Sequence, residues 1–76
     1  MNATTLSIIK MLPQKPLLSP ADIAAAYGLA STNTILADIK TGKLAANVCG
    51  GKYIISRSAA EEYIISNEYQ PDEGTL

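Results

Sequence analysis

Two short helices separated by a glycine turn are the feature that most constrains the fold of this chain. Ser19 is a typical helix N-cap, Pro20 suits the first helical position, and Asp22 completes a capping box. Gly28 can adopt the left-handed conformation that closes a helix. These signals predict a helix over residues 20–27.

A second helix is predicted directly after this turn. Ser31 is its expected N-cap, and Gly42 stands where a residue without a Cβ ends a helix. Apolar residues between them have the spacing of one buried stripe, and they are Ile35, Leu36 and Ile39. The outward positions are then Thr32, Asn33, Ala37 and Lys40. Two such helices form a helix-turn-helix, whose second helix commonly enters the DNA major groove.

A β-hairpin and a last helix are predicted in the second half of the chain. Residues 44–49 and 52–56 favour strands, and Gly50-Gly51 between them suits a two-residue primed turn. Ser58 is the expected cap of a helix over residues 59–66, which would place Glu61 in its first turn. The predicted fold is therefore α+β: a small winged helix-turn-helix of two helices, a β-hairpin wing and a C-terminal helix.

The domain organisation follows from prolines and charge. Residues 1–16 are interpreted as an N-terminal arm or a short helix, ended by Pro13 and Pro16. Residues 17–66 form the predicted winged domain. Residues 67–76 are predicted to be an acidic, mobile tail.

Composition narrows the possible functions. The 76 residues include no histidine and one cysteine, Cys49, so we expect no metal site, no cofactor and no enzymatic activity. A lone cysteine excludes an intramolecular disulfide and favours a cytoplasmic setting. We expect Cys49 to be a small buried or half-buried hydrophobe rather than a redox sensor. No apolar run approaches the ~20 residues that span a bilayer, so no membrane partner is expected.

Charge is unevenly distributed along the chain. The net charge is −1, which alone argues against binding to nucleic acid. Residues 61–76 carry five acidic and no basic side chains. Residues 39–60, in contrast, carry a local charge of +4 from Lys40, Lys43, Lys52 and Arg57. A basic segment of this kind can contact phosphates, but it is also compatible with an ordinary solvated surface.

Five motifs occur in the order found in one known family. They are Leu-Leu-Ser-Pro-Ala-Asp-Ile-Ala at 17–24, Thr-Ile at 34–35, Thr-Gly-Lys-Leu at 41–44, Gly-Gly-Lys-Tyr-Ile-Ile at 50–55 and Arg-Ser-Ala-Ala-Glu-Glu-Tyr-Ile at 57–64. The chain resembles the excisionase-type DNA-binding domain, which is related to MerR regulators and AlpA-like phage regulators. The resemblance implies a small phage or mobile-element protein that binds double-stranded DNA through helix two and the wing, often cooperatively. Some members direct a tyrosine recombinase (integrase) toward excision, and others regulate transcription.

The sequence departs from this family at its basic positions. Arginines usual on helix two are replaced by Thr32, Asn33 and Ala37, and two wing positions hold Val48 and Ile54. The predicted DNA-contacting residues are therefore Thr32, Asn33, Thr34, Lys40, Lys43, Lys52 and Arg57. For Asn33 and Thr34, capping of the helix start is an equally reasonable role.

An alternative function is protein binding. If Tyr53 and Ile55 face the core, Ile54 faces outward, and Val48 is expected to join it in an apolar protein interface. That interface would serve self-association along DNA or contact with a recombinase. In its strongest form, this alternative makes the chain a protein-protein adaptor with weak or no DNA binding.

Overall fold

The computed structural model describes residues 1–69, in which four helices pack around a three-stranded antiparallel sheet. The elements in chain order are α1 (Ala3–Met11), β1 (Leu17–Leu18), α2 (Pro20–Ala26), α3 (Asn33–Lys40), β2 (Asn47–Cys49), β3 (Lys52–Ser56) and α4 (Arg57–Ser66). This architecture confirms the predicted small α+β fold with a helix pair, a hairpin and a C-terminal helix. The predicted acidic tail lies outside the described residues from position 70 onward.

The N-terminal segment forms a helix that packs against the domain. The Asn2 side chain caps α1, because its Oδ1 accepts a hydrogen bond from the Thr5 N–H at 2.8 Å. Leu12, just after the helix, is only 2 % exposed and belongs to the core. The Glu68 carboxylate accepts from the Asn2 N–H at 2.7 Å, so the two ends of the described chain are joined. Of the two interpretations of residues 1–16, the structure therefore supports the short helix.

The capping signals of α2 are confirmed. The Asp22 N–H donates to Ser19 Oγ at 3.2 Å, and the Ser19 N–H donates to Asp22 Oδ2 at 2.9 Å, which forms the capping box. The hydrogen bond from the Ser19 backbone, aided by Lys15, lowers the pKa of Asp22. Gly28 has φ +74° and closes the helix, as expected.

The sheet contains one strand that the sequence did not predict. Its order is β1-β3-β2, so β3 pairs with the hairpin strand on one side and with β1 on the other. The pairing of Leu18 with Ile55 joins the connector before α2 to the hairpin. The Gly50-Gly51 turn has φ +58° and +77°, as a primed turn requires. The first hairpin strand begins at Asn47 rather than at position 44, because Leu44 is buried in the core.

The last helix begins earlier than predicted. Ser56, not Ser58, is the N-cap of α4, and its Oγ accepts from the Ala59 N–H at 3.0 Å. The chain passes directly from β3 into the helix, since Ser56 ends the strand and caps the helix at once. Glu61 consequently lies beyond the first turn, and the first turn holds no acidic residue.

The core is built from every part of the described chain. Its largest fully buried side chains are Ile23, Ile35, Leu44, Ile55 and Ile64. They come from α2, α3, the segment before β2, β3 and α4, respectively. The helix pair and the hairpin therefore share one core, which holds α3 and the wing in a fixed arrangement. None of the helices in residues 1–69 is long and apolar enough to cross a membrane.

Candidate nucleic-acid interface

The N-terminus of α3 differs by one residue from the prediction. Thr32 is the N-cap and makes no side-chain capping hydrogen bond, whereas Ser31 was expected there. Ser31 Oγ instead accepts a long 3.5 Å hydrogen bond from the Asn33 N–H. Neither the Asn33 nor the Thr34 side chain makes a hydrogen bond to another described residue. The capping role considered for these two side chains is therefore not observed within residues 1–69.

One face of α3 is uncovered along its whole length. Asn33, Ala37 and Lys40 are exposed and lie one above another, because residues three and four apart share a helix face. Thr34 is exposed beside this row. On the opposite side Ile35 is 0 % exposed and fixes the helix to the core. The structure therefore brings three predicted contact residues of α3, Asn33, Thr34 and Lys40, onto one surface together with Ala37; these four residues are hereafter the α3 outer face.

A cleft joins the start of α3 to the wing. It has a volume of about 320 Å³ and lies between α2, α3 and the tip of the hairpin. Thr32 and Leu36 line it on the helix side, and Lys52 and Tyr53 line it on the wing side. Two of the predicted contact residues, Thr32 and Lys52, thus face the same cleft from different elements.

Lys43 does not line this cleft. Gly42, with φ +84°, turns the chain after α3, and the Lys43 N–H donates to the Asp38 carbonyl at 2.9 Å. Beyond that turn Lys43 lines a second cleft with Glu62 and Tyr63 of α4. The lysine is exposed, but the structure does not group it with Thr32 and Lys52.

Arg57 has a structural role that the sequence did not reveal. Its Nη1 donates to the Pro13 carbonyl at 2.6 Å, and its Nε pairs with Glu61 Oε2 at 3.2 Å. Its backbone N–H also donates to the Pro16 carbonyl at 2.9 Å. The guanidinium therefore ties α4 to the connector that leads into β1. The DNA contact of Arg57 stays a prediction, although two of its guanidinium nitrogens, Nη1 and Nε, already have partners.

Four lysines are unpaired cations within residues 1–69, and three of them, all except Lys10, are predicted contact residues. Lys40, Lys43 and Lys52 are exposed, and none lies within 4.0 Å of a described carboxylate. Lys15, in contrast, pairs with Asp22 Oδ2 at 3.3 Å. An exposed lysine without a carboxylate partner can contact a phosphate without first breaking an ion pair.

A polar contact that sequence reasoning missed fixes α3 against α4. The Tyr63 hydroxyl donates to Asp38 Oδ2 at 2.5 Å, and the Tyr63 ring meets Tyr27 edge-on with centroids 6.2 Å apart. Burial, together with the hydrogen bond to Asp38, raises the pKa of Tyr63 to about 12. Asp38 is the one acidic residue of α3. Its partner is 25 positions away and could not be identified from spacing.

The predicted apolar interface is wrong in its geometry. Val48 pairs with Tyr53 across the hairpin, and Asn47 pairs with Ile54, so Val48 and Ile54 lie on opposite faces of the sheet. Val48 is 64 % exposed. Ile54 is half-buried in an apolar groove of about 380 Å³, and Leu17 and Ala59 also line this groove. The two residues therefore cannot form one continuous patch.

Cys49 is exposed at the end of β2, where it pairs with Lys52. The prediction of a buried or half-buried cysteine is therefore wrong, because Cys49 precedes the turn at the tip of the wing, away from the core.

Within residues 1–69, no three His, Cys, Asp or Glu side chains are close enough together to hold a metal ion. Comparison with models of known protein families, with curated proteins and with solved structures finds no match to this chain.

Proposed function

We propose that this protein binds double-stranded DNA in a sequence-specific manner, with α3 in the major groove and the wing beside it. The observation that carries the proposal is the α3 outer face. It is exposed, it carries hydrogen-bonding and basic side chains, and its opposite side is anchored in the core by Ile35. Within residues 1–69, α3 packs against α2, but no described element covers its outer face.

The dimensions of α3 suit this role. An α-helix with its side chains is about 10–12 Å across, and the B-DNA major groove, about 12 Å wide, admits it. Recognition helices contact base edges chiefly through their N-terminal residues. Asn33 occupies that end of α3 and has an uncommitted amide, whereas Lys40 at the other end can reach the phosphate backbone.

The charge distribution supports modest affinity for each copy. Lys40, Lys43 and Lys52 would give about three phosphate contacts, for which the slope of log K against log[salt] is about −2.7. This is a shallow dependence for a specific DNA-binding protein. Several copies bound side by side at repeated sites would add their contacts, so we propose that the protein binds cooperatively as a homo-oligomer on DNA.

The biological role follows from the resemblance to excisionase-type domains. We propose that the protein acts in the bacterial cytoplasm, either as a recombination directionality factor or as a small transcriptional regulator of a phage or mobile element. In the first case, its partner would be a tyrosine recombinase. An in vitro excision reaction with a tyrosine recombinase of the same mobile element distinguishes the two roles.

A charge-reversal experiment tests the DNA-binding proposal. Lys40→Glu combined with Lys52→Glu removes two of three phosphate contacts, so the salt slope is expected to change from about −2.7 to about −0.9. By the same relation, the affinity at about 0.1 M salt falls roughly 60-fold. Fluorescence anisotropy with labelled duplex DNA measures both quantities.

Lys10→Glu is the matched control for this pair. Lys10 is exposed in the last turn of α1, just as Lys40 is in the last turn of α3, so both changes have the same effect on the helix dipole. The control is expected to bind DNA nearly as well as the wild type. The proposal is wrong if the wild type binds no duplex at low salt, or if the control and the double variant lose affinity equally.

Protein binding is the second candidate function, and the groove beside Ile54 favours it. Leu17, Ile54 and Ala59 give this groove an apolar lining, and in this candidate function a second copy of the chain occupies it. The protein then self-associates without DNA, and Ile54→Asp abolishes the association. Sedimentation equilibrium tests this, because a wild-type monomer at all concentrations excludes self-association through the groove.

A further inference from the structure

We infer that the α3 outer face selects A·T base pairs, with Asn33 recognising adenine and Ala37 contacting the methyl group of a neighbouring thymine. This inference rests on the proposed DNA-binding function and specifies which base pairs the site accepts. It follows from three properties of the face: the groups that it lacks, the geometry of Asn33, and the position of Ala37.

The face lacks the usual means of recognising guanine. Arginine or lysine contacts with guanine O6 and N7 are the commonest specific protein-DNA contacts. Residues 33–40 contain no arginine, and their one lysine, Lys40, lies in the last turn of the helix. The N-terminal half of α3, which approaches the base edges, is uncharged. A guanine in this part of the groove would find no cationic donor.

Asn33 carries the complementary groups for adenine. Its amide can donate from Nδ2 to adenine N7 and accept at Oδ1 from the adenine N6 amino group. Guanine presents acceptors at both positions, so one of the two hydrogen bonds would become a repulsive contact between oxygens. The Asn33 side chain is exposed and makes no hydrogen bond within the described residues, so binding to adenine requires no existing contact to break.

Ala37 lies one turn further along the same face. The rise between positions four apart in a helix is about 6 Å, which corresponds to one or two base pairs along the groove. The alanine methyl is exposed and uncharged, and thymine is the base that presents a methyl group in the major groove. A cytosine at this position would direct its N4 amino donor at a side chain that cannot accept a hydrogen bond.

Three duplexes of about 20 base pairs, roughly two helical turns, test the inference. They contain only A·T pairs, only G·C pairs or only inosine·cytosine pairs. An inosine·cytosine pair has the major-groove pattern of G·C without the N2 amino group that distinguishes G·C in the minor groove. Fluorescence anisotropy at about 50 mM salt, where phosphate contacts keep binding measurable, gives the affinity for each.

We expect the A·T duplex to bind about 5- to 150-fold more tightly than both others, which is the range for one good bidentate contact. Replacing thymine with deoxyuridine removes the methyl group alone and is expected to weaken binding about threefold to fourfold. Asn33→Ala is expected to reduce the preference for A·T over inosine·cytosine to the threefold or fourfold that the thymine methyl group provides. Asn47→Ala is the matched control, since it changes an exposed asparagine on β2 and should leave the preference intact.

The outcomes separate this inference from the proposed function. If no duplex binds, the DNA-binding proposal itself is wrong. Equal binding to all three duplexes overturns only the inference. Equal binding to the A·T and inosine·cytosine duplexes also overturns the inference, because the protein would then distinguish base pairs in the minor groove. An A·T preference that Asn33→Ala leaves unchanged also overturns it.

Discussion

Replacing Tyr63 with phenylalanine removes one oxygen atom from the contact that fixes α3 against α4. The ring itself is 4 % exposed and stays in the core, so the change isolates the hydrogen bond to Asp38. A hydrogen bond to a charged group contributes about 1.5–3 kcal/mol to stability. Asp38 is half-buried, so water can replace part of the lost contact, and we expect a loss of about 2 kcal/mol.

The pH dependence of the stability difference between the wild type and Tyr63→Phe provides a second test of this contact. The pKa of Tyr63 is raised from its ordinary value of 10.0 to about 12 in the folded state, so the fold favours the protonated hydroxyl. The resulting stabilisation is complete below pH 10 and is lost between pH 10 and pH 12. Two pKa units correspond to about 3 kcal/mol, which combines the burial of the hydroxyl with its hydrogen bond to Asp38.

Urea denaturation followed by circular dichroism measures the free energy of unfolding of both proteins. Near pH 7 the difference is expected to be about 2 kcal/mol, or a decrease in the melting temperature of roughly 8–16 °C. The difference should shrink toward zero as the pH rises from 10 to 12, while the titration of other groups cancels in the comparison. A difference below about 0.5 kcal/mol near pH 7, or one that does not change above pH 10, would refute this reasoning.

Three further variants test other parts of the structure. Ser19→Ala removes the capping box and should lower the free energy of unfolding by about 1 kcal/mol in urea titrations. Gly51→Ala introduces a Cβ at φ +77° with nothing within 4 Å, so the expected 1–2 kcal/mol loss (about that of a left-handed residue) should arise from backbone strain and lower the melting temperature. Arg57→Gln breaks the contacts with Pro13 and Glu61, so stability should fall while the salt slope of DNA binding remains unchanged; a slope reduced by about one would restore Arg57 as a phosphate contact.

The parts of the fold that the sequence predicted correctly depend on local interactions. The capping box of α2 needs only Ser19 and Asp22, which are three positions apart. The ends of the two central helices need only a glycine with positive φ, and Gly28 and Gly42 provide it. Such features can be predicted from the sequence because a few neighbouring residues determine them.

The errors concern features that distant residues determine. Strand β1 is two residues long, and it exists only because Ser56 and Ile55 pair with it. Ser56 and Ser58 are both good helix caps, and the end of β3 selects the first. The role of Arg57 depends on a carbonyl 44 positions away. In contrast, the sequence could have shown that Val48 and Ile54 lie on opposite faces of the sheet, because a two-residue turn at 50–51 fixes the hairpin register.

The candidate site was predicted in part for the same reason. Helical periodicity alone identified the exposed row of Asn33, Ala37 and Lys40 on α3. Periodicity could not show that Lys43 lines a different cleft from Thr32 and Lys52, because the direction of the chain after Gly42 decides this.

The central position of β3 has a consequence for how the protein is made. Leu18 pairs with Ile55 across 37 positions of chain, and closing a loop of that length costs about 3 kcal/mol of chain entropy. During synthesis, the helix pair therefore emerges from the ribosome long before the strand that completes its core. The α3 outer face acquires its fixed orientation only after the wing has been translated, so we expect incomplete chains to lack specific affinity for DNA and folding to be slower than in purely helical domains of this size.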